Sequence, residues 1–533
     1  MKERKQSSYE MDELDRELMN LPDESRQDRS GESRRRPPQN SRPQKAQGGS
    51  GRKPQEKKPR PRKEGKKRRE VNKEFARVTY LFITLFLVMA GYLIYFNVVE
   101  SRDVVNSPYN IRQDLMAERV TRGQILDANG EVLAQTVTAE DGTETRDYPY
   151  GEVFAHAVGY AEQGKSGLES TQNFNLLSSN AFFLEQIVNE FRGEKNMGDS
   201  VVTTLDANLQ QAAYNALGDN KGAVVVMEPD TGKILAMVSK PSFNPGTVTA
   251  DWAALNSDED SALLNRATLG QYTPGSTFKL ITTLEYMREN PDYSSYSYLC
   301  EGSISVDGTT IHCYDSEVHG QETLADSVAN SCNASFSNIG LSLDRDSWKE
   351  TAEDLLFNRD LPCDFSFRQS SFNLTDEDTT AETMMTAMGQ GTTQVSPYHM
   401  ALITSAIANG GRLMRPYMVS EITNYTGASV RRYMPEQYAE LMTSQEAAQL
   451  TEYMTDVVNY GTGAALSGRS YTVAGKTGTA EVSVDKQTVH SWFVGFASVE
   501  DPEIVVSVVI EDADTTSITG VSVAGQIFDA FYS

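Results

Sequence analysis

From Val78 to Val99 the chain carries no charged residue across 22 positions, and YLFITLFLVMAGYLIYF fills most of the run. A helix of that length rises about 33 Å, enough to cross the hydrocarbon core of a bilayer. A buried core helix is the competing reading, but such helices are usually shorter and interrupted by polar residues. Lys and Arg crowd the N-terminal flank in KKRREVNKEFAR, whereas Glu100 and Asp103 follow the other end. The positive-inside bias predicts a cytoplasmic N-terminus and export of everything after about residue 100. The run is longer than a signal peptide's apolar segment and no small-residue cleavage site follows it closely. An uncleaved single-pass anchor over 78–99 is therefore expected.

Charge divides at the same place. Residues 1–77 hold 24 Lys and Arg against 14 Asp and Glu, while the whole chain has a formal charge of −25, so the remainder carries roughly −35. An acidic body is a poor nucleic-acid binder, because a phosphate backbone needs a basic face. The basic arm at 22–73 is rich in Pro, Gly, Arg and Lys, cannot bury enough apolar surface to fold, and suits contact with anionic lipid or plain solvation. Upstream, Met11, Leu14, Leu18 and Leu21 form a short apolar stripe at helical spacing, a candidate docking face for a cytoplasmic partner.

At 533 residues two or three domains are expected. RGQILDANGEVLAQT (122–136) reads as strand, Asn-Gly turn, strand. DANLQQAAYNAL (206–217) reads as an amphipathic helix, and AVVVMEPDTGKILAMVS (223–239) as a hairpin turning at Asp230-Thr231-Gly232. Helices are expected to dominate 276–460. Three strands follow in SYTVAGKTGTAEV, HSWFVGFASV and EIVVSVVIED, then a short helix near 522–532. Two early and three late strands around a helical middle predict an α+β domain with an antiparallel sheet closed by both chain ends. Four cysteines, Cys300, Cys313, Cys332 and Cys363, allow three complete pairings. Cys300 and Cys313 flank a hairpin-like stretch, so a disulfide there and small buried thiols are both open readings. No His/Cys spacing resembles a zinc site, and neither a metal nor a cofactor is expected. His490, beside Ser491-Trp492 on a late strand, reads as structural.

TPGSTFK (273–279) places Ser276 three residues before Lys279 at a helix start. A serine hydroxyl is a weak nucleophile and needs a base within reach; residues i and i+3 share a helix face, so Lys279 can supply it. A lysine serves as base only when neutral, which burial and a second nearby cation both favour. Two further motifs supply the missing parts. In Ser331-Cys332-Asn333, set in DSVANSCNASFSNIGL between two helical stretches, Ser331 can shuttle a proton and Asn333 can hold a substrate amide. In Lys476-Thr477-Gly478-Thr479, on a late strand, Lys476 offers the second cation and the hydroxyls of Thr477 and Thr479 can bind a carboxylate. Gly478 leaves room for an extended peptide along the strand edge. The backbone N–H groups of Ser276 and Thr479 then form an oxyanion hole. Each tetrad recurs elsewhere, as Ser50/Lys53 and Ser483/Lys486, or as Ser-x-Asn at Ser178, Ser242 and Ser371, and Lys-Ser-Gly at Lys165. Only the ordered set, in helix start, helix–helix turn and late strand, is specific.

That set resembles the penicillin-binding proteins, and in particular the monofunctional class B D,D-transpeptidases. RGQILDANGEVLA (122–134), YGEVFAHAVGY with SGLE (166–169), YTPGSTFK and MGQGTTQVSPYHMA (388–401) extend the likeness over roughly residues 100–533. The resemblance implies a β-rich, dimerisation-like pedestal at 100–200 and a penicillin-binding, β-lactamase-like transpeptidase domain at 201–533, after a disordered tail at 1–77. It implies catalytic roles for Ser276, Lys279, Ser331, Asn333 and Lys476, with D-Ala-D-Ala stem peptides of peptidoglycan and β-lactams as ligands, and a cell-shape or division setting. It also implies a membrane partner, a SEDS-type glycan polymerase, and no glycosyltransferase module. The rival readings are a D,D-carboxypeptidase, a β-lactamase, and a non-catalytic β-lactam receptor or division scaffold. One position departs from the family: Cys332 stands where Ser-Asp-Asn has Asp. It reads as a packing residue, with redox sensitivity the alternative.

Overall fold

The computed structural model describes residues 73–96, 116–481, 489–513 and 518–533. The basic tail, its apolar stripe and the Ser50 and Ser483 tetrads lie outside these residues. One helix, Lys73–Tyr95, spans most of the expected anchor. Its apolar side chains from Val78 to Tyr95 are all exposed, which suits lipid and would be untenable in water. Residues 97–99 of the expected anchor fall outside the description.

The centre of the body is a five-stranded antiparallel sheet in the order Val473–Glu481, Val489–Ala497, Ile504–Ile510, Gly222–Met227, Ile234–Lys240. The early hairpin and the three late strands are those read from the sequence. Ile504–Ile510 and Gly222–Met227 are buried at every residue, as runs of β-branched side chains covered on both faces should be. The terminal helix Gly520–Phe531 and helix Ala207–Ala216 cover one face with the core of Leu209, Ala213, Val523, Ile527 and Phe528. Asp206 caps the second of these by accepting from Leu209 N at 2.9 Å. The other face carries helix Pro397–Ala408, buried at eleven of its twelve residues and capped by Ser396 with Pro at its start.

Two features differ from the sequence reading. Among the described residues the middle of the chain is not purely helical: eight short strands lie between Tyr298 and Glu440. They are three to five residues long; the pair Ser303–Val306 and Thr309–His312 falls in the stretch read as hairpin-like, and the others are too brief to leave a period-2 pattern. Moreover, two of them, Val419–Thr423 and Ser429–Arg432, join a second, six-stranded sheet, whose order is Ser429–Arg432, Val419–Thr423, Ser200–Thr203, Ile125–Leu126, Val132–Thr138, Glu144–Asp147. The sheet begun at residues 125–203 is thus completed by chain that comes more than two hundred residues later. Beside it, Glu169 is fully buried between Arg122 Nε at 2.5 Å and Arg146 Nε at 2.7 Å. This explains why RGQIL and SGLE occur together.

Candidate active site

Gly275–Phe278 forms a 3₁₀ turn that runs into helix Lys279–Glu289. The sequence reading placed Ser276 in the first α-helical turn; the tighter turn stacks residues i and i+3 directly above each other. Gly275 has φ +53°, and a Cβ there would lie 2.7 Å from Thr479 O. The edge strand therefore presses against the turn. From the opposite side Gly275 N donates to Gly389 O at 2.9 Å, and Trp492 Nε1 donates to Thr273 O at 3.1 Å. Gly389, in the MGQGTTQ stretch, was not read as a site residue. Its φ of +75° and the 2.0 Å approach a Cβ would make to Gly275 O show that it buttresses the turn.

Ser276 is half-buried, and its Oγ has no hydrogen-bond partner among the described residues. The expected direct bond to Lys279 is not made. Lys279 Nζ instead donates to Ser331 O at 2.6 Å, Asn333 Oδ1 at 2.7 Å and Ser331 Oγ at 3.2 Å. Lys476 Nζ reaches the same Ser331 Oγ at 3.0 Å and Thr477 O at 3.1 Å. Both lysines are fully buried. Burial pushes Lys279 down to about 8 against weaker opposing pulls from nearby negative groups. Burial also pushes Lys476 well below its ordinary value, and the Lys279 cation adds to this. Ser331 itself has φ +56°, an uncommon conformation for a residue with a side chain, at the polar turn between helices Leu324–Ala329 and Asn333–Ser342. Asn333 was read as a substrate binder; in the free protein both ends of its amide are engaged, since Nδ2 donates to His312 O at 3.1 Å.

Val473–Glu481 is an edge strand, as the peptide-binding reading requires. Alternation puts Thr477 and the exposed Thr479 on one side and the buried Lys476 and Gly478 on the other. The reason for Gly478 is corrected: its missing side chain faces inward. A Cβ would sit 3.0 Å from Thr277 Cγ2 and 3.0 Å from Trp492 Cβ, so the glycine lets the strand close on the Ser276 turn. Thr477 Oγ1 pairs with Thr462 Oγ1 at 2.6 Å. Thr462 was missed; its only signal is the Gly-Thr-Gly stretch at 461–463.

No disulfide joins Cys300 to Cys313, whose sulfurs lie 3.6 Å apart as free thiols. Cys332 Sγ accepts from Ser335 N at 3.4 Å and caps helix Asn333–Ser342. His490 Nδ1 accepts from Asp512 N at 3.4 Å, with its ring edge-on to Tyr272.

The penicillin-binding protein transpeptidase domain model matches residues 222–533, more than half of the chain, and the penicillin-binding protein A dimerisation domain model matches 122–201. The chain belongs to the penicillin-binding protein transpeptidase family. Peptidoglycan D,D-transpeptidase PbpA of Mycolicibacterium smegmatis is 32% identical over 484 residues, covering 86% of this chain and 97% of the relative. The D,D-transpeptidase domain of a peptidoglycan glycosyltransferase from Eggerthella lenta superposes with a TM-score of 0.70 at 32% identity, over 78% of this chain and 98% of that one. The imipenem acyl-enzyme complex of penicillin-binding protein A from M. tuberculosis gives a TM-score of 0.70 at 28% identity, over 78% and 100%.

Proposed function

We propose that this chain is a membrane-anchored, monofunctional peptidoglycan D,D-transpeptidase that works through an acyl-Ser276 intermediate. The observation that carries the assignment is the pair of buried lysines converging on Ser331 Oγ: Lys279, one turn after Ser276 in the chain, and Lys476. Ser276 Oγ attacks the carbonyl carbon of the penultimate D-Ala and gives its proton to neutral Lys279. The proton passes through Ser331 Oγ to the departing nitrogen, the C–N bond breaks, and D-alanine leaves. An amine of a second stem then attacks the ester, the same groups carry its proton back to Ser276, and a new amide cross-links the stems. Asn333 holds Lys279 in place. Lys476 supplies the second cation beside Ser331 Oγ, the hydroxyls of Thr477 and Thr479 take the substrate carboxylate, and the N–H groups of Ser276 and Thr479 receive the oxyanion.

The chain divides into tail (1–77), anchor (78–99), pedestal (100–200) and catalytic domain (201–533), and the family models matching 122–201 and 222–533 support the last two. The flanking charges support an extracytoplasmic catalytic domain. A SEDS-type glycan polymerase is the partner this architecture suits, and co-purification from mild detergent tests it.

Transfer is tested with a D-Ala-D-Ala stem peptide and a D-amino acid as acceptor amine. The exchanged product is expected to outpace hydrolysis; hydrolysis alone would favour a carboxypeptidase, and rapid turnover of penicillin a β-lactamase. A second expectation follows from the lysine. A protonated Lys279 cannot accept a proton, so the rate of acylation by penicillin should fall about tenfold per unit as pH drops below about 8, and level off above it. Stopped-time labelling across about pH 6 to 9 reads this directly, and a flat profile would remove Lys279 as the base.

A further inference from the structure

Four potential metal ligands converge beside the active site without taking part in the acyl transfer. Cys300, Cys313, His319 and Cys332 each present one ligand atom, and these atoms all lie within 4.8 Å of one another. The three cysteines are buried, and the His319 side chain is 8% exposed. We propose that these four side chains bind one Zn²⁺ in a closed structural site.

The distances match the metal. Zn–S bonds of about 2.3 Å and Zn–N bonds of about 2.0–2.1 Å give a tetrahedron with S···S edges of about 3.8 Å and S···N edges of about 3.6 Å. Cys300 Sγ is 3.6 Å from Cys313 Sγ, Cys313 Sγ is 3.8 Å from Cys332 Sγ, and Cys300 Sγ is 3.4 Å from His319 Nδ1. A disulfide would instead require about 2.05 Å between two sulfurs. Three sulfurs and one imidazole in a tetrahedron select zinc over the oxygen-preferring cations.

The ligands are preorganised by backbone pairing. Cys300 ends strand Tyr298–Cys300, and Gly320, next to His319, pairs with it in register. Cys313 follows strand Thr309–His312, and its N–H donates to Gly302 O at 2.9 Å. Cys332 is fixed as the cap of helix Asn333–Ser342. Two sulfurs already accept backbone N–H groups, Cys300 from Gly302 at 3.4 Å and Cys332 from Ser335 at 3.4 Å, the pattern that stabilises thiolates. With Nδ1 toward the sulfurs, His319 turns Nε2 outward, 3.8 Å from the exposed Glu317 carboxylate. The chain order Cys-x12-Cys-x5-His-x12-Cys lacks the paired short spacings of a zinc finger, so the site is not legible along the chain. On binding, three thiols release their protons to solvent and neutral His319 donates its Nδ1 lone pair; no electron transfer is involved.

The consequence reaches the reaction through geometry. Cys332 lies between Ser331 and Asn333, and His312, next to Cys313, supplies the carbonyl that holds the Asn333 amide. A metal that ties Cys332 to the hairpin thus positions the turn that presents Ser331 Oγ to both lysines. Metal stoichiometry does not depend on the transpeptidase reading, so the two can fail separately.

The test is the zinc content of the full chain, purified in detergent with its thiols kept reduced, by inductively coupled plasma mass spectrometry. One zinc per chain is expected, with a loss of at least about tenfold in Cys313→Ser and in His319→Ala and no change in Cys363→Ser. Because those variants can misfold, Co²⁺ replacement in the unaltered chain provides a second reading: thiolate-to-cobalt charge transfer with the intense visible bands of a tetrahedral site. Acylation of Ser276 should slow when the metal is stripped and recover with added ZnCl₂. A chain that contains no zinc and takes none up from ZnCl₂, or zinc retained in both ligand variants, would overturn the proposal. So would a Cys300–Cys313 disulfide in the non-reduced protein as isolated.

Discussion

A Ser276→Ala chain is expected to fold normally and to form no covalent adduct with penicillin. The acyl group needs Oγ, and the neighbouring oxygens are poor substitutes. Thr277 Oγ1 is buried and donates to Pro274 O at 2.7 Å, and Ser331 Oγ is held by the two lysines. Removing a nucleophile that acts in concert with its base costs at least about 10⁴ in rate in comparable acyl-transfer sites. Stability should move by no more than about 0.5 kcal/mol, because the half-buried hydroxyl has no partner among the described residues and the turn is held by Gly275, Gly389 and Trp492. Fluorescent-penicillin labelling, with peptide mapping of the adduct and a melting curve for each chain, checks both statements. An adduct that persists in the variant, or that maps to another serine in the unaltered chain, would refute the assignment of Ser276.

Glu169→Ala should destabilise the folded chain by about 3–5 kcal/mol. The carboxylate is fully buried, and the Arg122 and Arg146 side chains flanking it are only 11% and 7% exposed. Deleting it leaves two desolvated guanidinium groups facing each other. Glu169→Gln should lose less, since the amide oxygen still accepts one hydrogen bond. Burial by itself raises the Glu169 carboxyl, but the two arginines outweigh it and hold the pKa below the ordinary carboxylate value. A depressed folded-state pKa means that this stabilisation is present above the unfolded value and is lost as pH falls through the folded one. Denaturant unfolding of the full chain at neutral and acid pH measures both effects. If Glu169→Ala unfolds within about 1 kcal/mol of the parent, the Arg122–Glu169–Arg146 cluster is not holding this part of the fold together.

Much of this molecule was legible before any coordinates. A 22-residue uncharged run is long enough for a membrane-spanning helix, and the β-branched runs within 223–239 and in the three late segments read as strands from their composition. The three motifs announced their chemistry because acyl transfer requires a nucleophile, a neutral amine, a proton relay and a carboxylate anchor, whatever the fold. Local periodicity and side-chain chemistry act over a few residues, so they can be read along the chain.

Contacts between distant segments cannot. Sequence suggested that Lys279 would bond Ser276 three residues away; tertiary packing gave it Ser331 and Asn333, more than fifty residues on. Gly478 was read as clearance for a substrate, whereas the turn it packs against lies two hundred residues earlier. Likewise the strands from 419–432 complete a sheet begun at 125, and three cysteines and a histidine meet from four separate segments. The chain alone determined which elements form and which chemistry they carry. Only the folded structure decided which of those groups touch, because burial and close packing select contacts by shape and desolvation, which no spacing along the sequence encodes.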